Sequence, residues 1–176
     1  MSLYRHNPDS LARVLTFFVL LGPAAYGLPE DENMPLEIEA NYNEIYLDRG
    51  YSVYRGSEDE PAIATRGSMR ISGQEIVVER EAGVIARVTA RGSATTPARF
   101  QQQPAVDQAI VHASGAILLF DNQARLVTAD GDAEFSQAGN TLNGQHIEYN
   151  LDTRFASASG GDTSERVRMY IPPLAE

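Results

Sequence analysis

From Leu36 onward the chain alternates apolar and polar residues in short runs, as in Leu36-Glu37-Ile38-Glu39-Ala40, Met69-Arg70-Ile71, Ala133-Glu134-Phe135, Ile147-Glu148-Tyr149 and Val167-Arg168-Met169-Tyr170-Ile171. Period-two alternation is the signature of a half-buried β-strand, whose successive side chains point to opposite faces. Glycine or Asx residues punctuate the runs at Gly50, Gly56, Gly67, Gly73, Gly83, Gly92, Asp121-Asn122, Asp130-Gly131, Gly139-Asn140, Gly144, Asp152 and Gly160-Gly161. Short strands at such spacing predict an all-β protein built as a sandwich, a jelly roll or a solenoid-like stack. Past the leader, no apolar stripe keeps a helical period for longer than about two turns.

The N-terminus follows a different pattern. Arg5 and Arg13 precede the apolar run Val14 to Leu21, which is followed by Gly22-Pro23 and small residues at Ala25 and Gly27. That order is a secretory signal peptide over residues 1–27, and the run falls well short of the roughly 20 residues that span a bilayer. The expected mature chain, 28–176, is of a size for one domain. It contains no cysteine, so neither a disulfide nor a lipoprotein anchor is available, and stability must come from strand pairing and apolar burial.

The strands also show a weak internal repeat, with best copies at Gly67 to Val78 and Gly131 to Tyr149 and anchors at Ile45, Ile76, Ile117 and Ile147. Taking the larger apolar residues of each strand as one parity gives a lining of Leu36, Ile38, Ile45, Leu47, Met69, Ile71, Ile76, Val78, Ile117, Leu119, Phe135, Leu142, Ile147, Tyr149, Val167, Met169 and Ile171. A closed core would use such a face for packing alone. The absence of tryptophan and the modest aromatic content instead suggest an underfilled stack, and the terminal strands lack the protection that exposed edges normally carry. Unprotected edges predict strand addition to a partner.

The segments MPLEIEAN, ATRGSMRISGQEIVVE, TTPARFQQQ and VHASGAILLFD, and the run from ARLVTADGDAEFSQ through HIEYNLDTRFASASG to RVRMYIPP, together resemble the OstA-like (LptA) family of periplasmic lipopolysaccharide-transport bridge proteins. The resemblance covers essentially the whole mature chain. It implies an open β-jelly-roll, shaped like a taco, of many short antiparallel strands whose apolar interior shields the acyl chains of lipid A. The lipid-contacting set would then be Leu36, Ile38, Ile45, Leu47, Met69, Ile71, Ile76, Val78, Ile117, Leu119, Phe135, Leu142, Ile147, Tyr149 and Met169. It further implies head-to-tail self-assembly. The edge bearing Leu36, Ile38 and Ala40 would meet the inner-membrane-anchored periplasmic component of the pathway, and the edge bearing Val167, Met169 and Ile171 the N-terminal domain of the outer-membrane translocon. A membrane-tethered component of the same pathway and a ligand-free module that polymerises through its edges are the competing readings.

Charge and candidate chemistry narrow the field. With 24 acidic residues against 14 arginines and a net charge of −10, the chain repels nucleic acid and anionic bilayers. Asp130-Gly131-Asp132 lacks the ligand spacing of a calcium loop and reads as a turn; Glu58-Asp59-Glu60 reads as a solvated loop. His112 and His146 have no metal-ligand neighbour at suitable spacing and read as strand residues. Ser114, His112 and Asp121 lack a nucleophile elbow. No catalytic set, metal or cofactor is therefore expected, and the chain is read as no enzyme. Arg87, Arg91 and Arg99 flank a proline-bounded insertion at Pro97 to Pro104 and are read mainly as solvent-facing, with contact to a lipid phosphate at the groove mouth left open.

Overall fold

The computed structural model describes residues 31–93, 95–161 and 166–173; the expected signal peptide lies outside them. Among the described residues there are fourteen strands: β1 (Glu37–Glu39), β2 (Tyr42–Tyr46), β3 (Tyr51–Arg55), β4 (Ala62–Arg66), β5 (Met69–Gly73), β6 (Glu75–Glu81), β7 (Val84–Arg91), β8 (Ala98–Gln102), β9 (Val111–Gly115), β10 (Ile117–Asp121), β11 (Leu126–Gln137), β12 (Asn140–Asn150), β13 (Phe155–Ser159) and β14 (Arg168–Tyr170). Every pairing is antiparallel, and all fourteen belong to one sheet.

That sheet is doubled over into two leaves. Leaf one runs β1-β4-β5-β8-β9-β11-β12-β14 and leaf two runs β2-β3-β6-β7-β10-β11-β12-β13. The long strands β11 and β12 cross from one leaf to the other, and the register of their pairing shifts between Asp130 and Ala133. This is the open jelly-roll that the family resemblance implies, one of the three all-β architectures that the strand pattern leaves open.

Glycines mark the fold line. Gly73 ends β5 just before β6, Gly115 ends β9 just before β10, and Gly144 lies within β12, and there backbone lies against backbone. A Cβ added at these positions would come within 2.7 Å of Arg91 O, 2.8 Å of Asp130 O and 2.8 Å of Ser159 O, respectively. These glycines therefore make corners between leaves, not the hairpin turns they resemble in the sequence. Two tight hairpins are made instead by Ala82-Gly83 (φ 51° and 82°) and Ala138-Gly139 (φ 51° and 82°), the pair of positive φ values that matches the twist of flanking strands.

The structural repeat is thus strand, corner glycine, strand, and the isoleucine anchors do not superpose on it. Ile76 and Ile147 share one row across leaf two through Ala90, Leu118 and Ala129. Ile117 is one residue out of step, and Ile45 lies in the adjacent row beside Ser52 and Val78.

Candidate functional site: an apolar interior between two leaves

Residues paired directly across neighbouring strands share a face, so the registers define the interior without ambiguity. On leaf one the inward row is Ile38, Ala64, Ile71, Phe100, Ala113, Phe135, Leu142 and Met169. Leaf two supplies two rows, from Tyr54 through Ile76, Ala90, Leu118, Ala129 and Ile147 to Ala158, and from Ile45 through Ser52, Val78, Val88, Phe120, Val127 and Tyr149 to Ala156. At the usual strand spacing the two eight-strand rows are each roughly 34 Å long and the seven-strand row from Tyr54 roughly 29 Å. Alanine alternates with larger side chains along the rows, so the leaves close on each other, with the Phe100 and Phe120 rings 6.2 Å apart across the gap.

Exposure changes along the stack. Ile71, Ile76, Phe100 and Leu118 in the middle are at most 2 % exposed, so the expectation of an underfilled lining is corrected there: side chains fill it. Toward the ends Ile38 and Leu142 are only half-buried, and at the limits Ile45 and Met169 are 56 % and 61 % exposed. The exposure follows from position, because β1, β2, β13 and β14 each pair on one side only. Most other large exposed apolar residues lie at the same two ends, with Met34, Tyr42 and Leu47 at one and Phe155, Val167, Tyr170 and Ile171 at the other, while Val84, Val106 and Ile110 lie away from them, at the β6–β7 hairpin and between β8 and β9.

Most of the lining expected from sequence lies inward: Ile38, Met69, Ile71, Ile76, Val78, Phe135, Leu142, Ile147 and Tyr149 belong to the core or pack against it, as does Leu36 just before β1. Three positions are corrected. Ile117 and Leu119 face outward, because Ile117 pairs with Arg91 and Asp130 and Leu119 with Thr89 and Thr128; the inward residues of β10 are Leu118 and Phe120. Leu47 lies in the 3-10 turn Leu47–Arg49, beyond the end of β2, and is 86 % exposed. Of the expected edge residues, Ala40 is exposed beyond β1, and Val167 and Ile171 flank β14 in the open. Sequence reasoning also missed inward alanines such as Ala64, Ala90 and Ala113, whose small side chains carry little weight in a hydropathy pattern.

The outer faces hold the charge. Arg55 bridges Glu44 at 3.1 Å and Glu75 at 2.9 Å, and its guanidinium holds the Glu44 carboxyl below the ordinary carboxylate value. Arg87 meets Glu79 at 2.9 Å and Arg91 meets Glu75 at 3.7 Å. Arg99 is on the other leaf, its strand β8 paired with β5 and β9, so Arg87, Arg91 and Arg99 do not converge on one anion site. His112 and His146 both sit on strands. The His146 imidazole lies 2.7 Å from Asp130 and 3.4 Å from Glu148, and the hydrogen bond to Asp130 raises its pKa. Asp132, in the bulge of β11, accepts from Gln145 at 3.4 Å. A polar depression of about 860 Å³ lined by Asp132, Asn143, Gln145, Arg166 and Arg168 lies at the C-terminal corner, apart from the apolar rows.

Two polar contacts frame the side of the interior opposite the glycine corners. Arg66, at the end of β4, donates to Asn122 Oδ1 at 3.1 Å across the gap between leaves, and Asn122 is held by Ile85 O at 3.1 Å and Ala86 O at 2.9 Å. Asp31 is buried and accepts from the Ser68 backbone at 2.9 Å, from the Ser68 hydroxyl and from Gln102 at 3.3 Å. This anchors the segment before β1 under leaf one. Nothing in the sequence pattern distinguishes Asp31 from its acidic neighbours; only the 37-residue jump to its partner makes it special.

The comparisons with known proteins agree with this geometry. Residues 37–155, from β1 to the first residue of β13, match the family described as LptA/(LptD N-terminal domain) LPS transport protein. The chain belongs to this family. It is 31 % identical over 157 residues to the lipopolysaccharide export system protein LptH of Pseudomonas aeruginosa, covering 85 % of each chain. Identity to the lipopolysaccharide export system protein LptA of Haemophilus influenzae is 22 % over 158 residues, covering 90 % of this chain and 89 % of that one. The crystal structure of LptH, described as the LptA-homologous periplasmic component of the conserved lipopolysaccharide transport device from Pseudomonas aeruginosa, superposes with a TM-score of 0.73 at 26 % identity, over 82 % of this chain and all of that one. The OstA-like resemblance and the curled antiparallel fold are thereby established, and the relatives are lipopolysaccharide export components. Among the described residues no helix is long and apolar enough to cross a membrane.

Proposed function

We propose that the chain is a periplasmic bridge that carries lipopolysaccharide from the inner-membrane complex toward the outer-membrane translocon, holding lipid A acyl chains between its two leaves and acting without turnover or cofactor. The observation that carries the reading is that each leaf has a mainly apolar inward row reaching from one uncovered edge to the other, Ile38 to Met169 on leaf one and Ile45 to Ala156 on leaf two, the second interrupted only by the small Ser52. Exposing an acyl chain to water costs about 0.8 kcal/mol per CH₂. A continuous apolar lining therefore suffices for a carrier, and an acidic surface is no obstacle.

Head-to-tail assembly follows from the same ends. The edge of β1 and β2 is read as meeting the inner-membrane-anchored periplasmic component, and the edge of β13 and β14 the N-terminal domain of the translocon, with further copies of the chain between. Each edge offers unpaired backbone groups beside exposed apolar side chains, the combination that strand addition uses.

The filled middle of the interior favours a second reading, a module that polymerises through its edges and carries no ligand. Native mass spectrometry of the purified mature chain mixed with lipopolysaccharide separates the two. The carrier reading expects a discrete protein–lipopolysaccharide complex that survives desolvation. Bare protein oligomers at saturating lipopolysaccharide would leave the ligand-free reading standing.

A further inference from the structure

Tyr149 carries the one polar side-chain atom of the inward rows of leaf two that the structure leaves buried and without a hydrogen-bond partner. The residue is 2 % exposed. Its neighbours in register are Val127 and Ala156, and its ring lies 4.7 Å from that of Phe135 on the facing leaf. By contrast, the buried Ser52 hydroxyl of the same row accepts from Arg80 at 3.1 Å. The Tyr149 oxygen has essentially no accessible surface, which leaves no room for a bridging water. A buried, unpaired hydroxyl costs stability, and a phenylalanine would fill the same space without that cost.

We propose that the Tyr149 hydroxyl is a ligand-binding group, kept to donate a hydrogen bond to the ester or amide carbonyl at the head of a lipid acyl chain held between the leaves. This deepens the carrier reading and rests on it. The chemistry fits on three counts. Burial raises the Tyr149 pKa, so the proton stays on and the group donates. Acyl ester and amide carbonyls are acceptors only, and they are the polar atoms that must travel with an acyl chain into an apolar interior, where an unpaired carbonyl would itself be costly. The position also fits: Tyr149 stands on β12, next to the edge strands β13 and β14, close to the end where Leu142, Ala156 and Ala158 are half-buried. There a carbonyl would reach the hydroxyl by displacing the half-buried side chains of that end and not those of the filled middle.

The test uses the mature chain and its Tyr149→Phe variant with two fluorescent probes of equal alkyl length, one joined through an ester and one through an ether. Tyr149→Phe is expected to bind the ester probe about tenfold more weakly, to bind the ether probe unchanged, and to unfold at a higher denaturant concentration without ligand. Equal affinities of wild type and variant for the ester probe, or a parallel loss for both probes, would overturn the proposal, as would a destabilised free variant. If both probes bind wild type, the carrier reading stands whatever Tyr149 does. If neither binds, the carrier reading fails and this inference falls with it.

Discussion

At the scale of single residues, register decides what a side chain can do. The run Ile117-Leu118-Leu119-Phe120 is apolar at every position, so alternation alone cannot say which pair faces in. The pairing of Leu118 with Ala90 and Ala129, and of Phe120 with Val88 and Val127, settles it. Where one parity was polar, as at Ile38, Ile71, Phe135 and Ile147, the inward face was legible directly. Buried alanines and Asp31 were not, because the first have little hydropathy and the second depends on a partner far along the chain. His146 gives a prediction at this scale. Its pKa is raised above the ordinary value of 6.5 chiefly by the hydrogen bond to Asp130. The contribution of that pair to stability is therefore fully present below pH 6.5 and is lost as pH rises through the folded-state value. Thermal melts across this range should show wild type more stable than His146→Gln at pH 6, with the gap closing by pH 8.5; a constant gap would rule the pair out as its source.

At the scale of elements, the corner glycines and the edge strands carry the design. Strands were legible because valine, isoleucine and threonine alternate with polar residues, and their antiparallel order follows from the short connections. The doubling of the sheet was not legible, since a corner glycine and a hairpin glycine read alike in one dimension. The difference is that at a corner the glycine faces backbone. Gly115→Ala would place a methyl 2.8 Å from Asp130 O, where neither chain can yield without shifting β9 against β11. Overpacking of this kind typically costs 1–3 kcal/mol; we expect about 2 kcal/mol in urea unfolding. Gly83, in the β6–β7 hairpin, has open space around it, so any cost of its replacement by alanine reflects its φ of 82° and not a clash.

At the scale of the whole molecule, the question is what an apolar interior with uncovered ends is for. Composition and charge argued against a nucleic-acid partner and offered no catalytic set, but the pattern could not tell a closed core from a conduit. The structure adds that the middle is filled and that the opening is confined to the ends. A ligand must therefore part the leaves or displace side chains as it advances. The ends are also where copies would join. Met169 on β14 is 61 % exposed and lies in the inward row of leaf one, so Met169→Asp should leave the monomer folded while abolishing concentration-dependent oligomers in light scattering. Oligomers that persist unchanged would argue against joining through this edge.

The central claim, that acyl chains run along the inward rows, is tested most directly by photo-crosslinking in cells at matched inward and outward positions. A photoreactive residue at Ile38 or Leu142, both inward and half-buried, should yield lipopolysaccharide adducts, whereas one at Leu119, apolar but outward between Thr89 and Thr128, should yield none. Adducts at Leu119 matching those at Leu142, or protein adducts alone at Ile38 and Leu142, would contradict it.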